Sequence, residues 1–125
     1  MATPEQMLAA VHAYVAAFEA GDPEMAVAIF AEDATVEDPV GTQLKCGHDE
    51  IRAFYQASMA TGAKLVLDGP VRVADGHAAF AFHVPLHFDG KDMEIHVIDT
   101  FAFNPDGKVK EMRAFFGPGN MIAKG

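Results

Sequence analysis

Asp99 is the residue whose setting in this sequence most strongly suggests chemistry. It lies in the segment 93–103, MEIHVIDTFAF, which has the composition of a β-strand. Alternate residues of a strand share a face, so Asp99 projects together with Val97 and Phe101. An ionised carboxylate on such an apolar face loses its hydration without compensation. Asp99 must therefore find a cation, lie in a wet cavity or hold its proton.

Asp38 is a second acid that shares a face with apolar residues. It lies in the segment 34–40, ATVEDPV, which we interpret as a short strand with Val36 and Val40 on the same side as Asp38. Pro39 cannot donate a ladder hydrogen bond, so we expect this strand at a sheet edge or a rim, with Asp38 at a cavity mouth. A solvated turn is the alternative, because Asp before Pro is common in turns.

Tyr14 lies on the apolar face of the first predicted helix. Thr3, Pro4 and Gln6 form a typical helix start with a capping box, and the helix is expected to end at Gly21. Residues spaced by three and four form its apolar stripe: Met7, Leu8, Val11, Tyr14, Val15 and Phe18. A core tyrosine is the simplest interpretation. A buried phenol nevertheless needs a hydrogen-bond partner, and this stripe offers none.

Two more helices are predicted before the β-rich half of the chain. Asp22 and Pro23 begin a short helix that ends near Ala31 and carries inward Met25, Ile29 and Phe30. The third helix begins at Gly47 or His48 and ends near Gly62. Its inward stripe consists of Ile51, Phe54, Tyr55, Ser58 and Met59.

The second half of the chain predicts an antiparallel sheet. Strand patterns occupy residues 63–69, 71–74, 77–88, 91–103 and 108–116, with turn signals at 75–76, 89–90 and 104–107. A tight turn at 89–90 pairs Phe80 with Asp99, and pairing of Asn104 with Gly107 sets Asp99 opposite Met112. Between Phe80 and Met112 a negative charge is unfavourable, so the pKa of Asp99 should be raised.

The opposite face of this sheet is too apolar for ordinary solvated surface, and we interpret it as a subunit interface. It carries Ala79, Ala81, His83, Pro85, His87, His96, Ile98, Thr100 and Ala102. The register sets His83 opposite His96, which raises a metal site as an alternative. His87 lies about 13 Å along the strand from His83, too far to share an ion, so the pattern favours a histidine pair.

Composition limits the class of protein and its partners. The 125 residues, half of them hydrophobic, fit one domain spanning residues 1–125. The formal charge of −9 opposes binding to nucleic acid or to an anionic membrane and leaves a small neutral or apolar ligand. The single Cys46 and an amino terminus without a basic stretch predict a cytoplasmic protein. Because no cofactor motif occurs, we expect side chains alone to do the chemistry.

The predicted architecture and several segments resemble a known family. An α+β fold with three helices on a strongly curved, mainly antiparallel sheet is similar to the cone-shaped nuclear transport factor 2-like superfamily. Within it, the chain resembles the bacterial Δ5-3-ketosteroid isomerases along its whole length. The segments that carry the resemblance are AYVAAFEAGD, IFAEDATVEDPVG, IRAFY, AAFAFHV, IDTFAFN and KVKEMRAFFG.

The resemblance implies a role for each candidate residue. Asp38 would be the general base, Tyr14 and Asp99 would form the oxyanion hole, and Tyr55 would support Tyr14 by a hydrogen bond. The expected reaction moves a steroid double bond by proton transfer from C4 to C6, with no cofactor and no metal. The implied homodimer would use the outer sheet face. Residues expected to line the steroid pocket are Phe30, Phe54, Phe82, Val84, Met112 and Phe116.

Two alternatives remain open at this stage. The first is another cofactor-free acid/base enzyme of the same fold, such as a polyketide cyclase-like protein, which could use the same acids. The second is a non-catalytic module that binds apolar ligands. A binding module has no need of a buried unpaired acid, so Asp99 argues against it. Some family members carry a tyrosine where this chain has Phe30 and a tryptophan where it has Phe116.

Overall fold

Three α-helices pack on one mixed, mostly antiparallel sheet, which confirms the predicted α+β class. The computed structural model describes residues 1–124. The elements in chain order are α1 (Pro4–Ala20), α2 (Pro23–Val27), β1 (Phe30–Glu37), β2 (Lys45–Cys46), α3 (Gly47–Ala60), β3 (Val66–Leu67), β4 (Arg72–Ala74), β5 (His77–Phe88), β6 (Lys91–Phe103), β7 (Val109–Phe115) and β8 (Met121–Lys124). In this part of the chain, no helix is both long and apolar enough to cross a membrane.

The sheet brings the two halves of the chain together. Its strand order is β2-β1-β7-β6-β5-β3, with β4 also paired to β5 and β8 to β6. The β1–β7 pair is parallel, and the other pairs are antiparallel. Helix α1 packs near β4 and β5, whereas α3 packs near β1. The residues of α1 and α3 that face the sheet are therefore placed over its central strands.

The first helix confirms the predicted bounds and cap. Thr3 and Gln6 form the capping box, and Gly21 ends the helix with φ of 65°, a left-handed conformation that suits glycine. Tyr14 is buried on the inward face, as expected. Leu8 is exposed instead, whereas Ala17, which was not assigned to the stripe, is buried.

The region between α1 and α3 differs most from the prediction. Helix α2 ends at Val27 because the chain already enters β1 at Phe30, and Met25 points to solvent. Strand β1 ends at Glu37, so Asp38 follows the strand instead of lying within it. The strand is not at the sheet edge, since the short strand β2 pairs with it on the side away from β7, a pairing that the sequence patterns missed. Because Pro39 cannot donate to the ladder, it stands beyond the strand's end.

The register of the sheet is confirmed on one side of β6 and wrong on the other. Strands β5 and β6 pair as predicted, with Phe80 opposite Asp99. On the β7 side Asp99 lies opposite Ala114, not Met112. The turn is longer than expected, with a hydrogen bond from the Asn104 amide to the Lys108 carbonyl of 2.8 Å, and a bulge follows. The resulting shift of two residues leaves every side chain on its predicted face.

Candidate active site

An apolar cavity of about 290 Å³ lies between the helices and the inner face of the sheet. Tyr14 reaches it from α1, Asp38 from the end of β1 and Asp99 from the middle of β6. The rest of the lining consists of Phe18, Ser58, Thr61, Ala63, Leu65, Phe82, Val84, Leu86, Ile95, Val97 and Phe116. Three groups that can exchange or donate protons thus share a pocket whose other walls are mostly hydrocarbon.

Asp99 carries the one buried carboxyl group among the residues that the structure describes, at 1% exposed. Neither of its carboxyl oxygens has a hydrogen-bond partner there. Its cross-strand neighbours are Phe80 and Ala114. Burial raises the pKa of Asp99 well above its usual value, and the negative charge of Asp38 raises it further. This shift favours the protonated carboxyl group, which can donate a hydrogen bond into the cavity.

Tyr14 is held in place by a second buried tyrosine. The hydroxyl oxygens of Tyr14 and Tyr55 lie 3.0 Å apart, and both residues are essentially inaccessible to solvent. Edge-on contacts with Phe18 and Phe101, each with ring centroids 5.3 Å from that of Tyr14, fix the ring. Burial is the main reason that the pKa of each tyrosine is raised well above its usual value. If Tyr55 donates to Tyr14, the Tyr14 proton is free to face the cavity.

Asp38 occupies a more open position than Asp99. It is half-buried just beyond β1, and burial raises its pKa to about 6, while the positive charge of Lys45 lowers it. From the sequence we expect Asp38 at a cavity mouth. Above pH 6 the carboxylate is mainly ionised, but its pKa is closer to neutrality than that of a solvated aspartate. Such a pKa suits a base that operates at neutral pH.

Half of the predicted pocket lining does not reach the cavity. Phe82, Val84 and Phe116 line it, whereas Phe30, Phe54 and Met112 do not. Phe30 and Phe54 pack against the Tyr55 ring, with centroids 5.9 and 5.0 Å away. Met112 is fully buried opposite Phe101, a consequence of the longer β6–β7 turn. These three residues thus lie outside the lining of this cavity, and the two phenylalanines support the ring of Tyr55.

Several lining residues were not identified from the sequence as such. Ile95 and Val97 follow from the same alternation that placed Asp99 inward, and Phe18 follows from the α1 stripe that holds Tyr14. The segment after α3 that contributes Ala63 and Leu65 was predicted as a strand over residues 63–69, but only Val66–Leu67 form one, so alternation does not identify its cavity-facing residues. No group of three or more potential metal-ligating side chains occurs within residues 1–124.

The neutral state of Asp99 predicts a specific pH dependence of stability. Where the native state holds a proton that the unfolded state has released, the free energy of unfolding falls by about 1.4 kcal/mol per pH unit. Because the pKa of Asp99 is raised, this loss should occur as pH rises above the ordinary pKa of an aspartate. Asp99→Asn, which has no proton to lose, should therefore gain stability relative to wild type between pH 7 and 8, as measured by urea unfolding.

Asp38→Asn is the matched control for this measurement. With a pKa of about 6 in the folded protein, Asp38 is ionised in both the folded and the unfolded state above pH 7. It therefore adds no pH dependence to the free energy of unfolding there. Parallel stability curves for wild type and Asp99→Asn over this range would show that Asp99 is ionised in the folded protein.

Comparisons with known proteins identify relatives of this chain. The family model described as SnoaL-like domain matches residues 11–112. The steroid Δ-isomerase of Nocardioides simplex is 40% identical over 118 residues, which covers 94% of both chains. The epoxide hydrolase/cyclase-like enzyme SalBIII, described for its role in pyran ring formation in the polyether salinomycin, has a similar structure. Its TM-score is 0.90 at 23% identity, over 99% of this chain and 100% of SalBIII, which shows a shared fold.

The resemblance found in the sequence is confirmed by the curated relative and the family model. The chain therefore belongs to the SnoaL-like family, with the nuclear transport factor 2-like fold, and is related over nearly its full length to steroid Δ-isomerase.

Proposed function

We propose that this protein is an isomerase that converts 3-oxo-Δ5-steroids to conjugated 3-oxo-Δ4-steroids. The observation that carries the proposal is the partnerless, buried carboxyl group of Asp99, which shares an apolar cavity with Tyr14 and Asp38. The relationship to a steroid Δ-isomerase supports this substrate class. An apolar steroid with an oxygen at one end matches a mostly hydrocarbon cavity whose lining includes the proton donors Tyr14 and Asp99.

The first step removes a proton from C4 of the substrate. The Asp38 carboxylate accepts it, and the electrons of the C4–H bond move toward the carbonyl, which becomes a dienolate with negative charge on the C3 oxygen. A carboxylate with a pKa of about 6 can accept a carbon-bound proton more readily than a fully solvated aspartate.

Tyr14 and neutral Asp99 stabilise that negative charge. In the proposed complex each donates a hydrogen bond to the C3 oxygen, and the developing charge strengthens both bonds in a cavity poor in water. Asp99 can do so only while protonated, since an ionised carboxylate accepts hydrogen bonds but cannot donate them. The hydrogen bond between Tyr14 and Tyr55, 3.0 Å long, orients the Tyr14 hydroxyl for this task.

The second step returns the same proton to C6. The dienolate electrons form the new bond at C6, the C3 carbonyl is restored, and the remaining double bond lies between C4 and C5. Asp38 is again ionised at the end of the cycle. Atoms and charge balance without any oxidant, reductant or cofactor.

The central experiment measures turnover of 5-androstene-3,17-dione. We expect the purified protein to produce the conjugated enone, followed by its ultraviolet absorbance. Asp38→Asn should lower kcat by about 10²- to 10⁴-fold, because an amide cannot accept the proton. A folded wild-type protein that shows no turnover above buffer would refute the proposed function.

Two substitutions at residue 99 separate catalysis from mere ligand binding. Asp99→Asn keeps a hydrogen-bond donor of similar shape, whereas Asp99→Leu removes it, so the leucine variant should lose more activity. Equal losses for both variants would exclude a donor role for this side chain.

The raised pKa of Asp38 predicts the acid limb of the pH profile. Only the ionised carboxylate can act as the base, so kcat/KM should fall about tenfold per pH unit below pH 6 and reach a plateau above it. Because the positive charge of Lys45 lowers this pKa, Lys45→Met should move the limb to higher pH. A limb near pH 4 in wild type, or one that Lys45→Met leaves in place, would argue against Asp38 as the titrating base.

The outer sheet face remains our proposed subunit interface. Ile98 is 50% exposed and lies directly opposite Phe115, 43% exposed, on the neighbouring strand; Ala81 flanks Ile98 on the other side. Nearby, the rings of His83 and His96 stack with centroids 5.7 Å apart. Ala102, assigned to this face, is instead buried within the chain. A small-molecule substrate, a homodimer and a cytoplasmic location together complete the proposal.

Sedimentation velocity at micromolar concentration tests this interface. Wild type should sediment as a dimer, and Ile98→Glu should sediment as a monomer, because each subunit would then bury an unpaired charge. Met25→Glu, at an exposed apolar position on α2, is the matched control and should remain dimeric. A monomeric wild type, or a dimeric Ile98→Glu with native circular dichroism, would reject the interface.

A further inference from the structure

The cavity is a channel with a deep end and a mouth. Along β6, Asp99 and Val97 are buried, whereas Ile95, four residues and about 13 Å from Asp99, is only half-buried. Exposure to solvent increases in the same direction along the paired strand β5, where Phe82 is buried and Leu86 is half-buried. The proton donors are therefore at the deep end, and the channel opens toward the β5–β6 turn.

Helix α3 runs alongside this channel from its deep end toward its mouth. Tyr55 marks the deep end through its hydrogen bond to Tyr14. Beyond the helix, Leu65 precedes Val66, which pairs with His83, so residues 63–65 lie beside the outer half of the channel. Ser58 stands one turn, about 4.5 Å, from Tyr55 in the direction of the mouth.

Ser58 is a polar residue on an otherwise apolar, inward-facing stripe. It is half-buried and lines the cavity together with Thr61. The Thr61 hydroxyl donates to the Ser58 carbonyl at 2.6 Å, and its oxygen accepts from the Ala63 amide at 3.3 Å. These bonds engage the Thr61 hydroxyl but leave the Ser58 hydroxyl available. Apart from the three proposed catalytic groups, these two hydroxyls are the only polar side-chain groups in the described lining of the channel.

We infer that the Ser58 hydroxyl determines specificity by hydrogen bonding to an oxygen at the end of the steroid remote from the reacting ketone. This inference rests on the proposed function for the orientation of the substrate, with the C3 oxygen at Tyr14 and Asp99. A steroid that fills the channel displaces water from Ser58. A ring-D oxygen restores the lost hydrogen bond, whereas a hydrocarbon ring leaves the hydroxyl unsatisfied.

Binding of two conjugated steroids tests the inference without requiring turnover. Isothermal titration with 4-androstene-3,17-dione and with 4-androsten-3-one, which lacks the ring-D oxygen, compares wild type with Ser58→Ala. The variant should bind the dione about fivefold more weakly and the 17-deoxy steroid no more weakly than wild type. Gln56→Ala, on the exposed side of α3, is the matched control and should change neither affinity.

Turnover of the corresponding Δ5 substrates provides the second measurement. Ser58→Ala should raise KM for the dione while leaving kcat within about twofold, because the contact lies away from the reacting atoms. Equal changes for both steroids, or no change for either, would overturn the role of Ser58. Absence of turnover in wild type would instead refute the isomerase proposal. The binding comparison would still decide whether Ser58 forms a hydrogen bond with the ring-D oxygen.

Discussion

The structure depends on a carboxyl group placed where an ion is unfavourable. Asp99 is held on the central strand β6, between Phe80 and Ala114, and has no hydrogen-bond partner within residues 1–124. A sheet position is rigid, so the side chain cannot move to water without breaking the ladders on both sides. The low polarity of the cavity favours the protonated form of Asp99, which acts as a hydrogen-bond donor in the proposed reaction.

The two cavity aspartates differ because their backbone positions differ. Asp99 lies in mid-strand with pairing partners on both sides, whereas Asp38 follows the last residue of β1, where the ladder has ended. Both carboxyl groups have raised pKa values. The positive charge of Lys45 lowers the pKa of Asp38, which is about 6. In the proposed reaction this difference assigns the roles: the more open group accepts a proton, and the enclosed group keeps its own.

The inner arrangement of β5 and β6 could be predicted because local sequence determines it. The Asp89-Gly90 turn fixes the pairing, and the alternation of apolar residues selects the face, so Phe80 was correctly set opposite Asp99. The β6–β7 register was not predictable in the same way, since a five-residue connection and a bulge have no unique signature. Strand β2, only two residues long, left no periodicity to detect.

The resemblance to a known family predicts the polar groups that line the cavity better than it predicts the aromatic residues. Tyr14, Asp38 and Asp99 all line the cavity, whereas Phe30 and Phe54 contact Tyr55 instead of the open space. The chemistry needs particular functional groups in particular places, but many aromatic arrangements can support the same phenol. Phe30 packs against the Tyr55 ring but has no hydroxyl group. The hydrogen bond between Tyr14 and Tyr55 therefore forms without a third tyrosine at position 30. When the Tyr55 hydroxyl donates to the Tyr14 oxygen, the Tyr14 proton is available to the substrate in the proposed reaction.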